Sequence, residues 1–228
     1  MAKKGKFIVI EGSDGSGKKT QTDIIIKKLR KKNRKVLYCD FPQYRKTFFA
    51  FMIERYLNGE FGEADDVSPY LASILFAGDR FQASEKIKKS LVRGDMVISN
   101  RYVQSNLAFN GAKIRGEKNK KKYQDWLEEM EYKVFDIPKA DLVVYLYVPY
   151  LKGQKLVDKK NKRNYTDKKR DIHEKNKDFL KRVEKEYLKL EHDNKEWRLV
   201  DCTYKGELLS IEEIAGKIEN LFKIEGIL

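Results

Sequence analysis

The sequence is poor in the residues that build disulfide frameworks, metal centres and membrane spans. Its two cysteines, Cys39 and Cys202, end or follow apparent strands, which predicts buried free thiols in a reducing compartment rather than a disulfide. Its two histidines, His173 and His192, lack metal-ligand spacing, and we interpret both as residues on helix surfaces. The longest apolar run, 142–148, is far too short to cross a membrane, and no signal-peptide pattern opens the chain. We therefore expect a cytoplasmic protein without a membrane partner.

Positive charge is abundant but unevenly distributed. A net charge of +14 first suggests a nucleic-acid partner. Three stretches, 27–35, 113–122 and 152–170, together carry more positive charge than the whole chain, so the remainder is net negative. The first stretch closes a predicted helix, where cations favour the negative helix end. Because the charge is patchy and no nucleic-acid reader motif is present, we expect no nucleic-acid partner.

Short apolar runs alternate with segments of helical periodicity, which is typical of a parallel α/β sheet. Predicted strands cover 7–10, 36–41, 96–99, 142–148 and 197–201, and predicted helices cover 18–32, 48–57, 69–92, 104–109, 123–134, the region of 179–190 and 211–222. Right-handed crossovers then give five parallel strands with helices on both faces. We find no repeat or linker and predict one domain, 1–228, with a mobile loop at 113–122 and a small basic lid at about 150–172.

The first predicted strand leads into a glycine-rich turn followed by a lysine. The residues are Gly12, Ser13, Asp14, Gly15, Ser16, Gly17, Lys18, Lys19 and Thr20. Free backbone amides, a positive helix end and an ammonium group together favour a bound phosphate. The spacing Gly12-x-x-x-x-Gly17-Lys18 fits a phosphate-binding loop, except that Lys19 stands where Ser or Thr is usual. A surface turn that happens to contain three glycines is the alternative, and the strand before and helix after favour the phosphate site.

Three further clusters follow predicted strands or share a helix face. They are Asp40 to Arg45, the pair Phe76 and Arg80, and Ser99 to Tyr102. An aromatic ring can stack on a base while an arginine one helical turn later bonds its edge. Taken alone, that pair is more typical of a core phenylalanine beside a surface arginine. An arginine such as Arg101 is suited to a phosphate because its guanidinium binds in bidentate fashion.

In combination these motifs resemble the thymidylate kinases over nearly the whole chain. The motifs that carry the resemblance are Glu11 to Lys18, Phe41-Pro42-Gln43-Tyr44-Arg45, Tyr56-Leu57-Asn58-Gly59, Phe76-Ala77-Gly78-Asp79-Arg80, Asn100-Arg101-Tyr102 and Ala108 to Lys113. The resemblance implies a P-loop kinase fold and transfer of the γ-phosphoryl group of ATP to dTMP. It also implies Mg²⁺ and a homodimer, for which the helix at 48–57 or the long helix after Pro69 would supply the interface.

Site residues are carried over from the family motif by motif. Phe76 matches the aromatic that stacks on thymine, Arg80 the donor to a thymine carbonyl, and Tyr102 the ring that crowds the sugar 2′ position. Asp14 matches the carboxylate near the sugar 3′-hydroxyl. The remaining matches are Lys18 on the β and γ phosphates, Arg45 and Arg101 on the acceptor phosphate, and Phe41, Ser105, Asn106 and Asn110 in the base pocket.

Two positions depart from the family pattern, and a third, Gly15, is one at which members of the family differ. Lys19 and Asn100 each replace a group that is directed at the metal, an Ser/Thr hydroxyl and an aspartate. Our hypothesis is that Mg²⁺ is held through water and ATP oxygens, with help from Thr20 or Glu11, while Lys19 offsets phosphate charge; reduced activity is the alternative. Gly15 stands where some members have an arginine. The catalytic cations are then expected in the lid, with Arg163 and Arg170 as candidates.

Other functions remain open from the sequence alone. The chain fits a kinase for a different deoxynucleotide or for a nucleoside, although paired arginines favour an acceptor that already carries a phosphate. A nucleotide-binding protein with weak or no catalysis is suggested by Lys19 and Asn100. The strictness for dTMP over dUMP is not determined by these motifs.

Overall fold

The computed structural model describes residues 4–158, 172–173 and 176–228. The strands are β1 (Phe7–Glu11), β2 (Val36–Asp40), β3 (Met96–Asn100), β4 (Leu142–Tyr147), β5 (Trp197–Asp201), β6 (Thr203–Tyr204) and β7 (Glu207–Leu208). The helices are α1 (Lys18–Lys31), α2 (Phe48–Leu57), α3 (Pro69–Val92), α4 (Val103–Phe109), α5 (Glu117–Glu129), α6 (Tyr150–Asp158), α7 (Lys177–Asp193) and α8 (Ile211–Ile224). Five strands pair in parallel, as the sequence predicts, and their order in the sheet is β2-β3-β1-β4-β5.

Alternate side chains of the central strand enter two separate cores. Phe7 and Val9 pack with residues of α3, α4, α5 and α7, whereas Ile8 and Ile10 pack with residues of α1 and α8. Successive side chains of a strand point to opposite faces, so a continuous apolar run requires cover on both sides. The result is the predicted three-layer arrangement, a sheet between two helical layers.

The carboxyl ends of β1, β2 and β3 lie side by side. Asn100 is the register partner of Ile10 in β1 and of Asp40 in β2, and Glu11 ends β1 directly before the glycine-rich turn. Loops that leave this edge are where ligands bind in open parallel sheets. The polar residues that follow the three strands are thereby brought together.

The prediction of a loop over 113–122 is wrong from Glu117 onward. Helix α5 begins there, after Gly116, whose φ of 80° is a left-handed conformation suited to glycine. Lys120 pairs with Glu186 of α7, and Glu117 pairs with Lys189. The charge run is therefore one face of a helix that docks on α7.

Two further elements were not predicted. Helix α6 occupies the first part of the expected lid, and β6 and β7 form an antiparallel hairpin before α8. The remainder of the lid, including Arg163 and Arg170, lies outside the described residues. Both cysteines are free thiols, as predicted. None of the helices in the described ranges is both long and apolar enough to span a membrane.

Candidate active site

The glycine-rich turn wraps around the ammonium group of Lys18. Lys18 Nζ donates to the carbonyl oxygens of Gly12 at 3.0 Å and Ser13 at 2.8 Å. Gly15 has φ 82°, and a Cβ on it would overlap the Gly153 carbonyl of α6. The loop therefore packs closely on α6 while its amides and the α1 N-terminus form an anion cradle.

Lys19 lies on a different side of α1 from Lys18. Its Nζ pairs with both Asp23 carboxylate oxygens at 2.5 Å and lies 5.4 Å from the centre of the Tyr38 ring. The ammonium is thus directed along the helix surface toward β2. Lys19 also lines the cleft beside the glycine-rich turn, and the hypothesis that it offsets phosphate charge stays a prediction.

An open cleft of about 1640 Å³, counting its solvent-facing part, runs along the glycine-rich turn. Its walls include the predicted residues Asp14, Gly15, Ser16, Gly17, Lys18, Lys19, Thr20, Phe41 and Arg101, together with Asp40, Leu156 and Val157, and Leu208 and Leu209 at the end of the hairpin. We call this space the phosphate cleft. The hydroxyl of Ser16 is buried there without a hydrogen-bond partner among the described residues, so a donor or acceptor from a ligand would satisfy it.

A second cavity of about 580 Å³, counting its mouth, adjoins the phosphate cleft, and we call it the acceptor cavity. Nine of the predicted residues line it: Asp14, Phe41, Phe76, Arg80, Arg101, Tyr102, Ser105, Asn106 and Asn110. Asp14 and Arg101 line both spaces. Phosphates that enter from the two sides therefore meet beside these two residues.

Arg45 is the predicted acceptor residue that the structure does not bring to the cavity. Its side chain is exposed and lines neither space. Its backbone has φ 61°, and its N–H donates to Glu54 Oε1 at 2.8 Å. The neighbouring Tyr44 lines both spaces instead.

Arg101 is fixed by a network of hydrogen bonds between the two spaces. Its Nη2 donates to Asp14 Oδ1 at 2.5 Å and its Nη1 to Ser105 Oγ at 3.0 Å. Burial alone lowers the pKa of Arg101, but the Asp14 carboxylate raises it, so the guanidinium stays charged. A fixed, charged guanidinium is suited to holding a phosphate group.

Glu11, expected near the metal, lies beneath this network. Its carboxylate accepts from the Tyr102 backbone N–H at 2.9 Å, from Ser105 Oγ at 2.9 Å and from the Tyr187 hydroxyl at 2.8 Å. The side chain is fully buried and lines neither space. Glu11 therefore positions the Arg101–Ser105 segment rather than facing the phosphates.

Asn100 stands where the family has an aspartate, and the neighbouring Asp40 supplies a carboxylate at the same edge of the sheet. Asn100 Nδ2 donates to Asp40 Oδ1 at 2.7 Å, and Asp40 lines the phosphate cleft together with Thr20. Carboxylate and hydroxyl oxygens are ligands that Mg²⁺ prefers. The residues present therefore fit a magnesium ion, with the acid on β2 instead of β3.

Phe76 and Arg80 stand one turn apart on α3 and form one wall of the acceptor cavity. Phe76 meets the Tyr56 ring edge-on, with centroids 6.2 Å apart. Arg80 is almost completely buried and pairs with Glu131, which the sequence analysis did not single out. The sequence did contain a sign of Glu131. Tyr123, Leu127 and Glu131 follow each other at four-residue spacing, which places the glutamate on the same buried helix face as the two apolar residues.

Tyr102 belongs mainly to the core. Its ring is fully buried, lies 4.9 Å from Phe7 and 5.7 Å from Phe41, and its hydroxyl donates to the Pro138 carbonyl at 3.0 Å. The hydroxyl is therefore committed away from a ligand, although the residue does border the acceptor cavity.

The prediction that His173 is a helix-surface residue is wrong, whereas His192 is exposed on α7 as predicted. His173 is buried, lines the acceptor cavity and stacks on Phe109 with centroids 5.6 Å apart. Burial lowers its pKa to about 3, so the ring is neutral at neutral pH.

A lysine is linked to His173 through the hydroxyl of Tyr56. Lys113 Nζ donates to the Tyr56 hydroxyl at 2.6 Å, and that oxygen lies 3.0 Å from His173 Nε2. An ammonium group only donates, so the Tyr56 hydroxyl accepts a hydrogen bond from Lys113. Burial lowers the pKa of Lys113 to about 8.

Comparison with known proteins agrees with this geometry. The profile of the family described as thymidylate kinase matches residues 10–213. A thymidylate kinase of Plasmodium falciparum is 30% identical over 205 residues, which cover 90% of this chain and 86% of that protein. A probable thymidylate kinase of Thermococcus onnurineus is 33% identical and covers 96% of this chain and 98% of its own. The solved structure of a thymidylate kinase from Candida albicans superposes with a TM-score of 0.74 at 23% identity, over 98% of this chain and 93% of that one. The chain therefore belongs to the thymidylate kinase family.

Proposed function

We propose that this protein transfers the γ-phosphoryl group of ATP to dTMP and forms dTDP. The observation that carries the proposal is the junction of two spaces, a phosphate cleft and an acceptor cavity, at Asp14 and Arg101. Phosphoryl transfer needs donor and acceptor phosphates in line and little covalent chemistry from the protein. A shared wall with a fixed guanidinium supports that alignment.

On the donor side, the loop amides and Lys18 hold the ATP phosphates. The ammonium of Lys18 is already inside the loop, bonded to carbonyl oxygens that a phosphate would replace. Leu208 and Leu209 provide apolar surface in the same cleft. Water is thereby limited along one side of the donor.

On the acceptor side, the base lies against Phe76 and Arg80 and the phosphate against Arg101. Asp14 is placed to accept from the sugar 3′-hydroxyl while it also fixes Arg101. We keep Arg45 as a second phosphate contact in this proposal, which requires its exposed side chain to turn toward the cavity beside Tyr44.

We propose that Mg²⁺ is held by Asp40 and Thr20 together with ATP oxygens. Bound there, the ion would neutralise phosphate charge during transfer. Asn100 keeps the Asp40 carboxylate in place through its amide. The roles proposed for Arg163 and Arg170, which would close over the γ-phosphate, concern residues outside the described ranges.

We also propose a homodimer formed through α2 and α3. Both helices expose large apolar side chains: Phe48 (68%), Phe51 (55%), Leu71 (63%), Ile74 (37%) and Phe81 (49%). Leu71, Ile74 and Phe81 follow helical spacing and share one face. An isologous contact between two copies would cover this surface.

We also propose that the protein acts in the cytoplasm, which its free thiols support.

An acceptor panel tests the activity. The protein is incubated with ATP and Mg²⁺ and with dTMP, dUMP, dCMP, dGMP, dAMP or thymidine, and ADP release is followed. We expect the highest kcat/KM with dTMP and about a hundredfold or greater loss in Lys18→Met, because the phosphates lose their charge partner. Lys27→Met, on the exposed surface of the same helix, is the matched control. Turnover with thymidine but not with dTMP would reject the proposal.

A further inference from the structure

Arg80 and Glu131 form an ion pair that is almost fully buried. Their side chains are 2% and 0% exposed. Arg80 Nε donates to the two carboxylate oxygens at 3.1 and 3.2 Å, and Nη2 donates to Oε1. A protein with a buried ion pair of this kind is commonly no more stable than one with apolar side chains of the same volume in its place. Its presence beside a cavity therefore suggests a role other than stability.

The backbone around Glu131 is built to direct its carboxylate inward. Helix α5 ends at Glu129 and continues as a π-helical turn, Met130–Val134, closed by the Phe135 N–H on the Met130 carbonyl at 2.9 Å. Glu131 continues the fully buried row of Tyr123 and Leu127. Single π turns occur frequently at functional sites.

Glu131 occupies one edge of the Arg80 guanidinium and leaves the other for the cavity. Among the described residues, Nη1 makes only a long bond of 3.3 Å, to the Tyr102 carbonyl. Arg80 lines the acceptor cavity, not the phosphate cleft, and a guanidinium has donors but no acceptor. A carbonyl oxygen can pair with this edge, whereas an amino group meets it donor to donor.

We propose that Glu131 is the positioning residue that makes the acceptor cavity select a pyrimidine with a carbonyl at C4 over one with an amino group there. The C2 carbonyl of a pyrimidine adjoins the sugar, whereas C4 lies at the far edge of the ring. Arg80, which is absent from the phosphate cleft, faces that far edge. This inference rests on the proposed function, because it takes a pyrimidine nucleotide as the acceptor.

The test compares Glu131→Gln with the wild type using dTMP and dCMP. Glutamine keeps the volume, but its NH₂ group faces the Arg80 donors, so the two-point support of the guanidinium is lost. We expect the KM for dTMP to rise about tenfold or more, kcat to change less than about threefold, and the preference for dTMP over dCMP to fall about tenfold or more.

Glu186→Gln is the matched control. It breaks the pair between Lys120 and the largely buried Glu186, which lines neither space. We expect lower thermal stability and an unchanged preference for dTMP over dCMP. A purely structural role for Glu131 predicts that Glu131→Gln behaves in the same way, and that result would overturn the proposal.

Glu131→Asp provides a second variant in case Glu131→Gln does not fold. The shorter carboxylate keeps the charge but cannot hold both Nε and Nη2 of Arg80 in place. The preference of this variant for dTMP over dCMP should therefore lie between those of the wild type and Glu131→Gln. A preference equal to that of the wild type would contradict the proposal. Direct calorimetric binding of dTMP and dCMP gives the same ratio without turnover. An inactive wild type that still binds dTMP selectively would reject the kinase function and leave this inference standing.

Discussion

His173 lines the acceptor cavity, and Lys113 is linked to it through the hydroxyl of Tyr56. Burial disfavours the charged form of both His173 and Lys113. Burial lowers the pKa of His173 to about 3 and that of Lys113 to about 8. The protonation states of His173 and Lys113 therefore couple the stability of this region to pH. The folded protein binds fewer protons here than the unfolded chain.

The His173 pKa predicts a specific loss of stability in acid. The unfolded chain takes up a proton at His173 below about pH 6.5, whereas the folded chain does so only near pH 3. Stability contributed by the neutral ring is therefore present above pH 6.5 and is lost as pH falls toward 3.

Urea unfolding of His173→Gln between pH 7 and pH 4 measures this effect. The wild type should lose about 3 kcal/mol more than His173→Gln over this interval, from 1.36 kcal/mol per pH unit. His192→Gln, at an exposed position, should follow the wild type. Parallel pH profiles for His173→Gln and the wild type would contradict the assignment.

At the scale of elements, the glycine-rich turn and α6 are in direct backbone contact. A Cβ at Gly15 would overlap the Gly153 carbonyl, and a Cβ at Gly153 would lie 2.7 Å from the Asp14 carbonyl. The turn cannot change shape without moving α6. The phosphate cradle and the start of the predicted lid are thus one mechanical unit.

Replacing Gly15 should disturb the contact between the glycine-rich turn and α6. Gly15→Ala combines left-handed strain with overlap on α6, so we expect a rise of about tenfold or more in the dissociation constant for ATP. Gly226→Ala is the control, because its φ is 64° and nothing lies within 4 Å of its added Cβ. It should lose about 1 kcal/mol of stability and keep its ATP affinity. Equal ATP affinities for both variants, measured by calorimetry, would refute the coupling.

Asp40, at the carboxyl end of β2, is the residue proposed to bind magnesium. If Asp40 holds the ion, Mg²⁺ should strengthen ATP binding in the wild type and do so about tenfold less in Asp40→Asn, since a carboxylate ligand is lost. Asp23→Asn is the matched control, because Asp23 pairs with Lys19 and does not itself line the phosphate cleft. Calorimetric titration of ATP with and without Mg²⁺ gives the ratio. An unchanged magnesium effect in Asp40→Asn would remove Asp40 from the site.

At the scale of the whole molecule, the sheet and the position of the site follow from the sequence because they depend on local patterns. Buried β-branched runs such as β4 allow few alternatives, and parallel strands place their following loops at one edge. The glycine-rich turn and Arg101 were found in this way, whereas the roles of Asp14 and Arg80 came from the family resemblance. Their partners are set by packing between distant segments.

Glu131 lies 51 residues from Arg80, and His173 lies 117 residues from Tyr56. Neither contact has a local signature. The first exists only once α3 has packed against the π-helical turn after α5, and the second only once His173 has packed against α2. The error over 113–122 has the same cause. The lysines there gave no sign of Glu186, which is 66 residues away from Lys120.

The apolar faces of α2 and α3 lead to a prediction about assembly. A charge placed in the centre of a buried contact is strongly unfavourable, so Leu71→Glu should convert a dimer into a monomer. Light scattering after size-exclusion chromatography measures the mass directly. Val134→Glu, at a residue that is 71% exposed on a different segment, should stay dimeric. A monomeric wild type would refute the interface.

The central claim is that one cavity binds the base of dTMP at Arg80 and its phosphate at Arg101. Calorimetric titration of dTMP and thymidine into the wild type and Arg101→Met tests it most directly. We expect the wild type to prefer dTMP by about tenfold to a hundredfold and Arg101→Met to lose most of that preference while binding thymidine almost as before. Equal losses of affinity for both ligands would contradict the claim, because Arg101 would then not be the residue that recognises the phosphate.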